Sequence, residues 1–351
     1  MDKQKIAVLF GGCSPEYGIS LQSAYGVISY MDRNKYEPVL LGITRDGEWR
    51  RFAGDPEKII NDTWNNEKDC VPAIISPDRK TRGAIIFDEN KPRSVRFDAA
   101  MPVLHGANGE DGTVQGLLEL AGIPVIGCGA RASAIGMDKS KSHKIAASAG
   151  VRVPKSFTVK GGNDAWNLYE RAGNIGYPLF VKPVSAGSSL GITKVTGKND
   201  IHEAVALAFE YGDEVIIEEN INGFEVGCAI FENGRLTIGE VDEIELQGEG
   251  FFDYDEKYYR ETARIHVPAR IPREKAEEIK MTAEVIYRAL GCSGFARVDM
   301  FLTPEGGIVF NEVNTIPGFT PGSRFSNMLK EAGYTFEQVI NSIIGGYHAA
   351  S

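Results

Sequence analysis

No two cysteines in this chain stand close enough to form a Cys-x-x-Cys clip. The five that occur, Cys13, Cys70, Cys128, Cys228 and Cys292, are spread singly and are odd in number. That excludes a disulfide framework and a zinc clip, and it predicts reduced, mostly packed thiols in a cytoplasmic protein. Long hydrophobic runs are missing too. No stretch reaches 18 apolar residues, and the N-terminal MDKQKIAVLFGG lacks the apolar region of a secretion signal. No membrane span is therefore expected. Positive charge is in deficit, with 38 Lys and Arg against 48 Asp and Glu for a net −10. Nonspecific binding to nucleic acid or to an anionic membrane is thereby excluded. An anionic substrate would need a local excess of Lys and Arg. Internal repeats, low-complexity segments and the Walker spacing G-x-x-x-x-G-K-[ST] are also absent.

What is present is a chain of 351 residues, too long for one ordinary core, so two or three domains are expected. KIAVLF (5–10) reads as a buried strand ending at Gly11-Gly12, followed by a helix over 20–31 and a strand over 38–44. AAMPVL (99–104) reads as another strand, followed by a Gly-rich loop and a helix over 113–121. This alternation predicts a parallel α/β domain over 1–129. A second unit, 130–216, opens on a helix over 138–149 with Asp138 as its cap. It continues with strands at 155–159, 178–182 and 214–218 and a helix at 199–210. A third unit, 217–351, carries two hairpin signals, Asn233-Gly234 and Pro304-Glu305-Gly306-Gly307. It also has helices over 272–290 and 335–346. The stretch 245–262 has no clean period and reads as a long ordered loop of the kind that serves as a lid.

The last hairpin carries the sharpest signal, Arg297-x-Asp299 followed by Glu312-x-Asn314. Residues two apart on a strand share a face. The hairpin can therefore gather Asp299, Glu312 and Asn314 as oxygen ligands, with Arg297 beside them, a set that suits octahedral Mg²⁺. The alternative is a charge ladder across two strands.

Upstream, Lys182 ends the strand PLFVK and is followed by the small-residue loop Ala186-Gly187-Ser188-Ser189-Leu190-Gly191. Such a loop can aim N–H groups at phosphate oxygens, although on its own it is usually a turn. With Lys139 in the first turn of a helix and the hairpin downstream, an ATP site is the better reading. Glu218, Glu219, Asn220 and Ile221 join two strands and can meet adenine, or form a plain charged connection. The loop His105-Gly-Ala-Asn-Gly-Glu110-Asp111-Gly112 follows a buried strand directly. It can read a zwitterion, though His105 alone could equally be structural.

These pieces occur in the order of the ATP-grasp fold. HGANGEDGTVQG, RVDMF and FNEVNTIPGFT resemble the signatures of the D-alanine–D-alanine ligase family, and the resemblance spans nearly the whole chain. It implies an α/β, ATP-grasp fold of three α/β domains, with ATP between the central and C-terminal ones. It implies D-alanine joined to a second D-amino acid through D-alanyl phosphate, with two Mg²⁺ ions (or Mn²⁺) and a homodimer.

By the same resemblance, Glu16 in GGCSPE holds the ammonium of the first D-alanine and His105 lies beside it. Lys139 and Lys182 meet the ATP phosphates. Glu218 and Ile221 flank adenine, and Glu225 approaches the ribose or a serine–tyrosine network. Ser188, with Ser189 beside it in the loop, bonds lid Tyr258, which follows Lys257. Asp299, Glu312 and Asn314 hold the metals. Arg297 and the N–H of Gly318 form the oxyanion site, and Ser323 binds the carboxylate of the second substrate.

Two details bear on that second substrate. The lid carries Lys257-Tyr258 where ester-forming relatives carry a histidine, which implies an amine acceptor. Arg324 stands where an apolar residue is common. With FFDY in the lid and VDEIEL before it, this resembles ligases of the vancomycin-resistance VanG type, which make D-alanine–D-serine. Arg324 then favours D-serine, with Asp242 or Glu243 holding it and Phe252 shaping the pocket. Another ATP-grasp ligase with a different acyl donor, and a nucleotide-binding regulator without turnover, are the competing classes.

Overall fold

The computed structural model describes residues 3–88, 91–161, 167–185, 191–246 and 263–347. Three sheets organise them. The first has the order β6-β5-β4-β3-β2-β1-β7. Its strands are β1 (Gln4–Gly11), β2 (Tyr36–Ile43), β3 (Trp49–Phe52), β4 (Cys70–Ile75), β5 (Gly83–Phe87), β6 (Pro92–Arg96) and β7 (Ala99–Pro102). Only β2-β1-β7 is parallel; β3 to β6 extend it as an antiparallel meander. The expected parallel domain is therefore corrected to a mixed sheet. Its parallel core is the apolar, doubly covered part, whereas β6 lies at an edge and is mostly exposed, so it carries no buried run to read.

Helix α1 (Tyr17–Tyr30) follows β1, and α2 (Glu57–Ile60), α3 (Thr113–Leu120), α4 (Ala130–Met137) and α5 (Lys139–Ser148) come next. The second sheet, β10-β9-β11-β8, is built of β8 (Ser156–Lys160), β9 (Leu179–Pro183), β10 (Thr193–Val195) and β11 (Glu214–Glu219), with α6 (Leu168–Ile175) and α7 (Ile201–Phe209). The third sheet runs β15-β14-β12-β16-β17, with β13 paired to β12. Its strands are β12 (Phe224–Glu232), β13 (Leu236–Ile238), β14 (Asp242–Leu246), β15 (Ala263–His266), β16 (Phe295–Leu302) and β17 (Ile308–Asn314). Helices α8 (Arg273–Ala289), α9 (Arg324–Glu331) and α10 (Phe336–Gly346) complete it.

Both expected hairpins form, β12–β13 around Asn233-Gly234 and β16–β17 around Pro304 to Gly307. Asp138 caps α5 by accepting from the Lys141 N–H at 2.8 Å. Strand β14 takes up the start of the expected lid; its residues 247–262 lie outside the described residues.

One core runs from α1 to α9 and α10, joining the first and third sheets. Phe295, Phe319 and Phe325 anchor it with edge-to-face contacts at 4.9, 5.4 and 6.3 Å. Each such pair contributes about 0.5–1.5 kcal/mol beyond its buried area. Gly26 permits the approach of α1, since a Cβ there would sit 2.2 Å from the Phe319 carbonyl oxygen. The loop after β17 is thereby clamped against the first sheet.

Candidate functional site

Strands β16 and β17 pair Arg297 with Asn314 and Asp299 with Glu312. All four side chains share one face, as period-two spacing requires. Arg297 donates to both Asp299 oxygens, through Nε at 2.9 and 3.1 Å and through Nη2 at 2.7 Å. Asn314 Nδ2 donates to Asp299 Oδ2 at 2.8 Å. Burial alone would raise the Asp299 carboxyl, but Arg297 and Arg324 beside it hold it below the usual range. Glu312 faces Lys139 Nζ at 3.6 Å.

Arg324 is 7% exposed, which rules out a solvent-pointing side chain. Its Nε and Nη2 form a fork on Asp242 at 2.7 and 2.9 Å, Nη1 donates to Glu225 at 2.9 Å, and Nη2 lies 3.3 Å from Asp299. A guanidinium has five N–H groups. Nη1 thus keeps one N–H with no partner among the described residues. Asp242 is the holder and Glu243 is not, because Glu243 pairs instead with Arg270 at 2.6 Å. Gly227 of β12 makes the room. A Cβ there would lie 2.7 Å from Arg324 Nη2, 2.8 Å from Asp242 and 2.9 Å from Asp299.

On the second sheet, Lys182 of β9 bonds Glu218 of β11, and both are buried. Glu218 Oε2 is buried without a partner among the described residues. Lys139 lies in the first turn of α5, its N–H bonded to the Val184 carbonyl at 3.2 Å, which ties α5 to the residue after β9. Ile221 is half-buried in the β11–β12 connection.

The first sheet contributes Glu16 and His105, both buried. Ser14 Oγ donates to the His105 carbonyl at 2.7 Å, and the Glu16 N–H donates to Ser14 Oγ at 3.2 Å. The His105 ring meets Ser23 Oγ at 3.1 Å, and Ser23 Oγ accepts from the Phe319 N–H at 3.1 Å. His105 thus ties α1 to the loop after β17. Burial lowers its pKa, partly opposed by Glu16. Gly106 adopts φ +72°, which favours glycine, and a Cβ there would lie 2.3 Å from Glu16 Oε2 and displace it. The Gly106 N–H donates to Glu110 at 2.8 Å. Burial and Glu16 push Glu110 up to about 8. In the loop, Gly318 abuts Ser323, whose Oγ a Cβ on Gly318 would approach to 2.9 Å. Ser323 Oγ accepts from the Thr320 N–H at 3.1 Å.

Glu16, His105, Lys182, Glu218, Ile221, Glu225, Asp242, Arg297, Asp299, Glu312, Asn314, Gly318 and Ser323 are therefore placed on the three sheets and the loops beside them, and Lys139 and Arg324 at the starts of α5 and α9. Ser188, Ser189, Phe252, Lys257 and Tyr258 lie outside the described residues. Sequence reasoning did not single out Gly227, Ser23 or His143. Of these, only His143 left a signal, since it stands one helical turn beyond Lys139 on the same face of α5.

In these ion pairs the carboxylates Asp242, Asp299, Glu312, Glu225 and Glu218 outnumber the cations Arg297, Arg324, Lys139 and Lys182. Asp299, Glu312 and the amide oxygen of Asn314 are a donor set of the kind a divalent cation takes, and the orphaned Glu218 oxygen can accept from a ligand N–H.

The model of the D-ala D-ala ligase N-terminus matches residues 5–128, and that of the D-ala D-ala ligase C-terminus matches residues 145–345. The vancomycin B-type resistance protein VanB of Enterococcus faecalis is 43% identical, covering 98% of each chain. A Streptomyces coelicolor protein provisionally named a D-alanine–D-lactate ligase is 44% identical, covering 97% of this chain and 96% of that one. The crystal structure of the VanG D-Ala:D-Ser ligase from Enterococcus faecalis superposes with a TM-score of 0.92 at 52% identity, covering 99% of this chain and all of that one. The family is ATP-dependent, normally uses Mg²⁺, acts on small molecules in making peptidoglycan precursors, and has the ATP-grasp fold. Among the described residues, no helix is long and apolar enough to cross a membrane. The chain belongs to the D-alanine–D-alanine ligase family.

Proposed function

We propose that the chain joins D-alanine to D-serine at the expense of ATP, by way of D-alanyl phosphate. The observation that carries the choice of acceptor is the buried Arg324, forked onto Asp242 with one Nη1 N–H unpartnered among the described residues. D-serine differs from D-alanine by one hydroxyl. An apolar pocket rejects an added hydroxyl only weakly. A charged donor rewards it by about 1.5–3 kcal/mol, or roughly tenfold to hundredfold.

The other roles follow from position. Glu16, with His105 beside it, takes the ammonium of the first D-alanine. Lys139 and Lys182 neutralise phosphate charge, which phosphoryl transfer needs more than covalent help. Glu218 and Ile221 border the adenine. Glu225 is shared between the ribose side and Arg324. Asp299, Glu312 and Asn314 would hold Mg²⁺, which when bound supplies further neutralisation of phosphate charge. Arg297 spends Nε and Nη2 on Asp299 and keeps Nη1 for the oxyanion formed when the amine attacks, with the Gly318 N–H as second donor. Ser323 orients the carboxylate of the second substrate.

The test is ADP release with D-alanine, with L-alanine and without amino acid, followed by product analysis with D-alanine and D-serine competing. D-alanine-dependent release and an excess of D-alanyl-D-serine are expected. A dominant D-alanyl-D-alanine product would refute the acceptor assignment.

A further inference from the structure

Helix α5 carries a second ionisable side chain one turn beyond Lys139. His143 is 2% exposed. Its Nε2 lies 2.7 Å from the Asn311 carbonyl oxygen at the outer edge of β17. A carbonyl oxygen only accepts, so Nε2 carries the proton. Burial lowers the pKa of the ring and keeps it neutral, which makes Nδ1 a bare acceptor. That Nδ1 is buried and has no partner among the described residues. The ring meets Phe310 edge-on at 5.5 Å and lies within electrostatic reach of Glu218, Lys182 and Lys139.

Glu218 presents the same situation. One oxygen takes Lys182, and Oε2 is buried and orphaned. Buried acceptors are normally paired, and leaving one unpaired is destabilising. Two acceptors cannot satisfy each other. What the pair lacks is a donor with two N–H groups.

We propose that His143 is a base-selecting residue, its Nδ1 and Glu218 Oε2 together accepting the exocyclic amino group of a 6-aminopurine. The inference rests on the assignment of this site to ATP. A 6-oxopurine would turn a carbonyl lone pair toward two acceptors and leave both without a partner. Lys182 stays bonded to the other Glu218 oxygen in this reading.

Two variants separate base selection from simple support of β17. His143→Asn keeps an acceptor near Nδ1 and loses the donor to Asn311. His143→Gln keeps a donor near Nε2 and loses the acceptor. The measurement is the dissociation constant of ATP and of inosine triphosphate, by calorimetric titration of the whole protein, with thermal melts to confirm folding. Wild type is expected to prefer ATP by about tenfold or more. His143→Gln should lose about three- to tenfold of that preference through weaker ATP binding, the range for one lost hydrogen bond. His143→Asn should retain it. The reverse order, equal losses for both nucleotides, or an unchanged ratio in His143→Gln would overturn the inference and leave His143 an anchor of β17. Wild type that binds neither nucleotide would instead overturn the ATP assignment itself.

Discussion

Replacing Arg324 with leucine separates two things that the guanidinium does at once. Asp242 is completely buried, and both of its oxygens accept from Arg324, at 2.7 and 2.9 Å. Leucine leaves that carboxylate buried and unpaired, which destabilises by about 3–5 kcal/mol. For a chain of this size that corresponds to a fall in melting midpoint of roughly 4–7 °C. Selectivity should fall too, with D-alanine gaining on D-serine as acceptor. The double variant Arg324→Leu/Asp242→Leu removes the stranded charge as well, so most of the lost midpoint should return while D-serine preference does not. Calorimetry on both variants, with product ratios from the competition assay, reads the two effects independently. A single variant that melts within about a degree of wild type would refute the buried-fork argument. A single variant that keeps its D-serine preference would refute the acceptor argument.

Three more outcomes are expected. Glu312→Gln removes one of the two carboxylates offered to Mg²⁺ and should abolish turnover while the circular dichroism spectrum stays unchanged; activity near wild type at millimolar Mg²⁺ would defeat the metal assignment. Gly227→Ala forces a methyl to within 2.7–2.9 Å of Arg324, Asp242 and Asp299, so it should lower both melting midpoint and turnover, and a variant indistinguishable from wild type in both would show the contact to be slack. Glu110 has a folded pKa of about 8, above its unfolded value of about 4.3. The folded state therefore holds a proton that the unfolded state has released, and stability drains away as pH rises through that window. Glu110→Gln should accordingly melt higher than wild type at pH about 8.5 and nearly level with it at pH about 5, a gap that calorimetry at the two pH values checks.

What could be read from the sequence was local. Arg297, Asp299, Glu312 and Asn314 were legible because a strand has period two, and the observed pairing puts all four on one face. Asp138 was legible because a cap lies within one turn of what it caps. Strands β3 to β6 escaped because they are short and lie outside the parallel core, so no buried run announces them. The Arg324 cage escaped in a different way. Asp242 stands 82 residues and Glu225 99 residues from Arg324, so no spacing rule connects them. Arg324 could be singled out as an unusual residue, and Asp242 and Glu243 were equal candidates to hold it. The choice falls to Asp242 because β12 pairs Gly227 with both Asp242 and Asp299, leaving a side-chain-sized gap between two carboxylates. Glu243, the next residue on β14, points to the opposite face by strand alternation and meets Arg270 there. The same alternation that made the hairpin readable therefore decides the cage, once the strand order is known. The glycine is as much a part of the cage as the arginine, since a Cβ at Gly227 would stand 2.7 Å from the guanidinium Nη2.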